Sequence, residues 1–169
     1  MQGQCHSDHF QHSVFCVCNM ILTLEGFTLP SDYIVKELTV IFDSGNHEHF
    51  HFQTPPGFQP TAADLRTIKF ASNYLNQLTL EDQSLLPCSV IDTILQAVAS
   101  NTIYVAGNSA FNFVTAKLPF TKVIDICKTY NFTYPKDLPP TNCFKRHRYR
   151  YCSLAKAEYI KSFMCDIVQ

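Results

Sequence analysis

The stretch Tyr33-Ile34-Val35-Lys36-Glu37-Leu38-Thr39-Val40-Ile41-Phe42-Asp43-Ser44-Gly45-Asn46-His47-Glu48-His49-Phe50-His51-Phe52-Gln53 decides the fold. Its first half, Tyr33 to Phe42, takes its apolar content from Ile34, Val35, Leu38, Val40 and Ile41 and reads as a strand. Asp43-Ser44-Gly45-Asn46 is hairpin-turn chemistry. His47 to Gln53 then alternates His with Glu or Phe, a period of two and the signature of a second strand. Pro55-Pro56-Gly57 stops it. One short stretch therefore specifies an antiparallel pair.

Upstream, Met20 to Leu24 is an apolar run that Glu25-Gly26-Phe27 ends; it reads as a buried strand whose start could lie near Val14. Leu29-Pro30-Ser31-Asp32 is a turn. Downstream the period changes after Pro60. Thr61 with Asp64 predicts a capping box, followed by Leu65, Ile68, Ser72 and Leu75 at helical spacing. Pro87 starts a second helix, with Ser89 as cap, Asp92 three residues on, and Ile91, Ile94, Leu95 and Val98 as its apolar face. Ile103 to Ala106 reads as a strand ending at Gly107, Ser109 to Lys117 as a helix, and Val123 to Ile126 as a strand. Residues 131–142 read as loop. Ser153 is expected to cap a last helix with Leu154, Ala157, Ile160, Met164 and Ile167 on one face.

The order is three strands, helices, strand, helix, strand, helix. Short turns make the first three strands antiparallel, and helical crossovers add the last two in parallel, with right-handed connections. The fold class expected is α/β, a mixed five-stranded sheet flanked by helices, in the arrangement of the ribonuclease-H-like fold.

Composition sets the outer bounds. The chain has 169 residues, a usual size for one domain, here placed at residues 13–169 behind a polar, His-rich tail at 1–12. Hydrophobic residues make up 46% and charged ones 16%, which excludes a disordered chain. A net charge of -1 excludes a globally basic nucleic-acid binder but not a local basic patch. No apolar run approaches the length of a membrane-spanning helix, so no membrane partner is expected. The unusual feature is 8 Cys beside 7 His. The first thirteen residues hold no Lys or Arg, and no small-residue cleavage site follows Val14 to Leu24. An intracellular protein of the cytoplasm or nucleus, with reduced thiols, is therefore expected. The sequon at Asn131 carries no weight without a secretory route. Cys18, Cys88, Cys127 and Cys165 read as small buried hydrophobes.

Nucleases of this fold hold two divalent metals on carboxylates at fixed points, to stabilise the attacking and leaving oxygens of a phosphodiester. The exonuclease branch wants Asp-x-Glu on the first strand; here Thr23-Leu24-Glu25 stands there. Ile103-Tyr104-Val105-Ala106-Gly107-Asn108-Ser109-Ala110-Phe111-Asn112 resembles that family's second motif, with Asn112 at the acid. The last acid falls near Lys156 or Glu158. Only Glu25 survives in register, and Thr23, Glu25 and Asn112 are degenerate positions rather than a catalytic set. Neutral and cationic replacements cannot hold two dications.

Cys143-x3-His147-x4-Cys152 packs two thiolates and an imidazole just before the last helix, donors that zinc prefers, with a fourth still needed. Val35 to Phe42, the hairpin, and His49-Phe50-His51-Phe52-Gln53-Thr54-Pro55-Pro56-Gly57-Phe58 resemble the start of the Maelstrom domain, a ribonuclease-H-like fold without its catalytic acids. That resemblance implies a structural Glu-Cys-His-Cys zinc site, which maps onto Glu37, Cys143, His147 and Cys152. It also implies small-RNA (piRNA) guided transposon silencing.

Lys145, Arg146, Arg148, Tyr149, Arg150 and Tyr151 form a basic, aromatic segment around His147 that suits single-stranded RNA, with rings for bases and cations for phosphates; the bland alternative is a solvated loop. His47, His49 and His51 lie on one strand face; three His so spaced can bind metal, but a wet face of an early strand is the favoured reading. Cys5, His6, His9, His12, Cys16 and Cys18 could form a second zinc site, though their spacing fits no standard zinc finger. The function expected is a catalytically degenerate, zinc-stabilised domain that binds RNA or protein partners. Two alternatives stay open: a single-stranded RNA nuclease that uses other residues, and a purely structural interaction domain.

Overall fold

A computed structural model of the chain describes residues 20–30, 32–81, 85–99, 101–143 and 151–168. The expected tail, the strand start near Val14, the tail Cys and His residues, and Lys145, Arg146, His147, Arg148, Tyr149 and Arg150 lie outside them. The elements are β1 (Met20–Thr28), β2 (Tyr33–Ile41), β3 (His47–His51), α1 (Ala62–Phe70) with a π-helical turn (Ala71–Leu75), α2 (Val90–Val98), β4 (Ile103–Val105), α3 (Asn108–Lys117), β5 (Val123–Asp125), α4 (Ile126–Thr129) and α5 (Ser153–Val168). The sheet order is β3-β2-β1-β4-β5. β1–β2 and β2–β3 pair antiparallel; β1–β4 and β4–β5 pair parallel. The α/β class and the mixed five-stranded sheet are as the element order predicts. No helix among the described residues is long and apolar enough to cross a membrane.

β1 does not stop at Glu25. A bulge between Glu25 and Gly26 lets it run on to Thr28 and bury Phe27. Gly26 makes this possible: a Cβ there would lie 1.9 Å from the Ile34 carbonyl oxygen. The bulge also shifts the pleat, so Val35 and Leu38 reach the same core.

The two sheet faces differ. Leu22, Leu24, Leu38, Val40, Ile103 and Val105 pack under α2 and α3 through Ile91, Leu95, Val98, Ala110 and Val114. Each fully buried Leu, Ile or Val there contributes about 1.5–3 kcal/mol. On the other face Ile21, Ile41 and Tyr104 meet Ala157 and Ile160 of α5. Between those apolar anchors lies a row of polar residues: Thr23 and Glu25 on β1, Glu37 and Thr39 on β2, and His49 and His51 on β3, in mutual register.

The capping box at Thr61 and Asp64 forms, and its hydrogen bonds from Thr61 hold the Asp64 carboxyl below the usual carboxylate range. The buried stripe of α1 is Asp64, Ile68 and Ala71, so Leu65 is exposed rather than on the core face. Ser89 precedes α2 but makes no side-chain cap, because it is already helical (φ -60°); Asp92 pairs instead with Lys117 at 2.9 Å. β5 ends one residue early, at Asp125, which caps α4 by accepting from the Cys127 N–H. None of the described cysteines, Cys88, Cys127, Cys143, Cys152 and Cys165, forms a disulfide. Cys165 is exposed rather than buried, since the end of α5 offers Cys165, Asp166 and Ile167 to solvent. Cys88 and Cys127 are half-buried.

Candidate metal centre

The polar row ends in a cluster of metal-ligating side chains. Antiparallel pairing sets Glu37 opposite His51 and Thr39 opposite His49. Cross-strand neighbours on one face sit close enough for their side chains to touch. The loop before α5 then lays Cys143 across the two imidazoles. Donor atoms of Glu37, His49, His51 and Cys143 all lie within 4.8 Å of one another. Cys143 Sγ is 3.3 Å from His49 Nε2 and 4.0 Å from His51 Nε2. Tetrahedral zinc with its usual bond lengths holds sulfur and nitrogen ligands about 3.5 Å apart. The observed separations bracket that value. His51 Nδ1 faces Glu37 Oε1 at 3.3 Å, and the two rings meet edge to face with centroids 4.5 Å apart.

Burial and charge favour a dication here. Glu37 is 0% exposed and His51 4% exposed, while His49 and Cys143 are half-buried. An ionised carboxylate at such depth needs a compensating charge. Glu37 and a Cys143 thiolate together carry two negative charges, and neutral imidazoles add none. Zinc bound to these four would give a net-neutral site.

The surrounding bonds orient the donors. Ser153, the first residue of α5, donates its backbone N–H to Glu37 Oε2 at 3.1 Å. Its hydroxyl and that of Thr39 are 2.8 Å apart, and Thr39 Oγ1 is 2.7 Å from His49 Nδ1. A His that ligates through Nε2 has Nδ1–H left to donate, and Thr39 Oγ1 stands there to accept. Thr23 Oγ1 donates to the Ser153 carbonyl at 2.6 Å. Ser153 is the first helical residue rather than the expected cap before it, and, fully buried, it ties α5 to the polar row through its N–H and hydroxyl.

Of the four ligands expected from the sequence, Glu37 and Cys143 are brought together. Cys152 is buried beside Leu138, Leu154 and Ala155, with its Sγ 3.9 Å from Thr141 Oγ1, and is not one of the four clustered donors. His147 lies outside the described residues. The favoured wet-face reading of the strand histidines holds for His47, which is exposed, and fails for His49 and His51. A signal was present in the sequence. Thr23/Glu25, Glu37/Thr39 and His49/His51 all interrupt strands at period two, and an antiparallel register aligns such interruptions on one face.

The degenerate nuclease positions are scattered. Thr23 is buried and bonded to Ser153; Asn112 is exposed on α3. Glu25 is 9% exposed and forms an ion pair with Lys156, so a cation stands near the position of a lost acid. Lys156 Nζ also lies over the rings of Tyr134 and Tyr151. Of the basic segment proposed for RNA, Tyr151 alone falls within the described residues, where it is half-buried. The fold and site together define an α/β domain with a mixed open sheet and a candidate Glu-His-His-Cys metal-binding group on its α5 face. No family model, curated protein or solved structure matches the chain.

Proposed function

We propose that the protein is a ribonuclease-H-like domain that has exchanged its catalytic metals for one structural zinc, held by Glu37, His49, His51 and Cys143, and that it binds single-stranded RNA without cutting it. The observation that carries the zinc reading is the convergence of four donors within 4.8 Å in a buried setting. The strand order supports the fold assignment. The Glu25–Lys156 ion pair supports the loss of two-metal chemistry, because an ammonium beside the surviving acid repels the cations such a mechanism needs. Zinc at this position would staple the β2–β3 hairpin to the segment before α5. With four protein donors it leaves no open position for an activated water, so its contribution is to folding. A role in small-RNA-guided silencing follows from the Maelstrom resemblance.

The test is metal analysis of the purified chain with single variants. One zinc per chain is expected, lost in His49→Ala, His51→Ala and Cys143→Ser and retained in His147→Ala and Cys152→Ser. Loss in the last two with retention in the His49 and His51 variants would replace this ligand set by Glu37, Cys143, His147 and Cys152. RNA incubated with the protein and Mg²⁺ should stay intact. Mg²⁺-dependent degradation that survives repurification would overturn the non-catalytic reading.

A further inference from the structure

We propose that the outer face of α1 and its π-helical turn is a stacking platform for single-stranded RNA, leading into the cleft beside Glu25 and Lys156. This rests on the RNA reading above but places binding on residues outside the 145–151 segment.

Phe70 and Tyr74 are 55% and 61% exposed, large aromatic surfaces to leave in water. Their rings lie 5.3 Å apart at 39°, a tilted pair. Arg66, Lys69 and Asn73 are exposed on the same helical stripe. The one carboxylate of this segment, Asp64, is buried and committed to its capping box. The stripe is therefore cationic and aromatic with no exposed acid. Every nucleobase offers a π-face and every linkage a phosphate, so this is the chemistry of sequence-tolerant single-strand binding. An acidic protein partner would satisfy the cations but would not need the paired rings.

The π-helical turn aims the platform. Its defining bond runs from the Asn76 N–H to the Ala71 carbonyl at 3.0 Å. Such turns are rare and gather at functional sites. Asn76, itself buried, holds this one in place by donating from Nδ2 to the Gly26 carbonyl at the β1 bulge, 3.1 Å. Phe70 consequently stands at the rim of an open cleft of about 390 Å³ that Asn108, Ser109, Tyr151 and Lys156 also line. The cleft lies at the carboxyl ends of β1 and β4. The chain leaves β1 towards one edge of the sheet and later adds β4 on the other side, and ligands of open α/β sheets bind at such switch points.

The experiment is fluorescence anisotropy of a labelled single-stranded oligouridine with the full chain, over a series of salt concentrations. Phe70→Ala and Tyr74→Ala should each weaken binding about tenfold or more. Arg66→Gln with Lys69→Gln should lower the salt slope by about 1.4, two phosphate contacts on a single strand. Phe70→Leu and Tyr74→Leu keep apolar volume without a π-face and should weaken binding similarly, which covers the case in which an alanine variant misfolds. Wild-type binding with undiminished affinity in the natively folded leucine variants would overturn the platform and leave the RNA reading standing. Absence of wild-type binding at low salt would remove the RNA reading and the platform with it.

Discussion

Exchanging Glu37 for Gln should destabilise the zinc-loaded protein and leave the zinc-free protein unharmed or firmer, a reversal of sign that a merely structural Glu37 would not give. Gln has the shape of Glu and keeps an oxygen to accept the Ser153 N–H now bonded at 3.1 Å, so the anchor to α5 survives. What goes is the negative charge of a side chain that is 0% exposed. With zinc bound, that charge is half of what neutralises the ion. Weakening a ligand or its support lowers metal affinity about 100-fold at the upper end, or about 2.7 kcal/mol. An ion bound only by the folded state stabilises it by mass action, so the loss would pass directly into stability at saturating metal. For a chain of this size the melting temperature falls about 2–4 °C per kcal/mol, giving a drop of about 5–11 °C. Without zinc, the Ser153 N–H and the His51 ring at 3.3 Å support the carboxylate, but burying its charge is costly, so a neutral amide that keeps the Ser153 bond is no worse. Thermal unfolding in zinc-buffered and EDTA-treated samples, with zinc counted per chain, reads both halves. Equal losses in the two media would reduce Glu37 to a hydrogen-bond acceptor. No loss in either, with full zinc retained, would remove it from the site.

Gly26→Ala should cost about 3 kcal/mol or more, or abolish soluble expression, since the new Cβ would stand 1.9 Å from the Ile34 oxygen; a urea midpoint within error of wild type would refute the role given to the bulge. Lys156→Met removes an ammonium from the Glu25 carboxylate, only 12% exposed in its side chain, and should cost about 2 kcal/mol, with Glu25→Gln added in the same chain restoring most of it. A double variant as unstable as the single one would show that Lys156 acts through packing on Tyr134 and Tyr151 instead. Burial holds the Tyr33 phenol well above its ordinary value of 10.0, with Glu25 and Glu37 adding to the shift, and burial does the same for Tyr134. The folded state thus keeps both phenols protonated while the unfolded chain ionises near that ordinary value. Their stabilisation is full below about pH 10 and is lost as pH rises through the folded-state values. Denaturant midpoints measured from neutral to alkaline pH should fall above about pH 10, and Tyr33→Phe with Tyr134→Phe should flatten the decline.

Much of the site lay in view in the sequence without its grouping. Cys143 stands out as a donor beside its chain neighbours His147 and Cys152, and Glu37 enters only through the Maelstrom resemblance, which partners it with those three. His49 and His51 lie more than ninety positions from Cys143, and their alternation with Phe50 and Phe52 suits a solvated strand equally well. The choice depends on whether something covers that face. The N-terminus of α5 does, through Ser153 and the loop that carries Cys143, and no local pattern announces it. Similarly, Gly26 signals a strand end by composition, whereas its close approach to Ile34 makes it a bulge that lengthens the strand.

By itself the sequence determined the five strands, the four longer helices and their order, though not α4 or the π-helical turn, because periodicity, turn residues and caps act over a few residues and need no distant partner. It also determined that polar side chains would interrupt three strands at period two. Only the tertiary structure decided that those interruptions share one buried face, that α5 closes over them, and that a cysteine from the far end of the chain completes a cluster of four candidate metal donors. That decision rests on register and packing, which are set by the burial of the whole sheet rather than by any one segment.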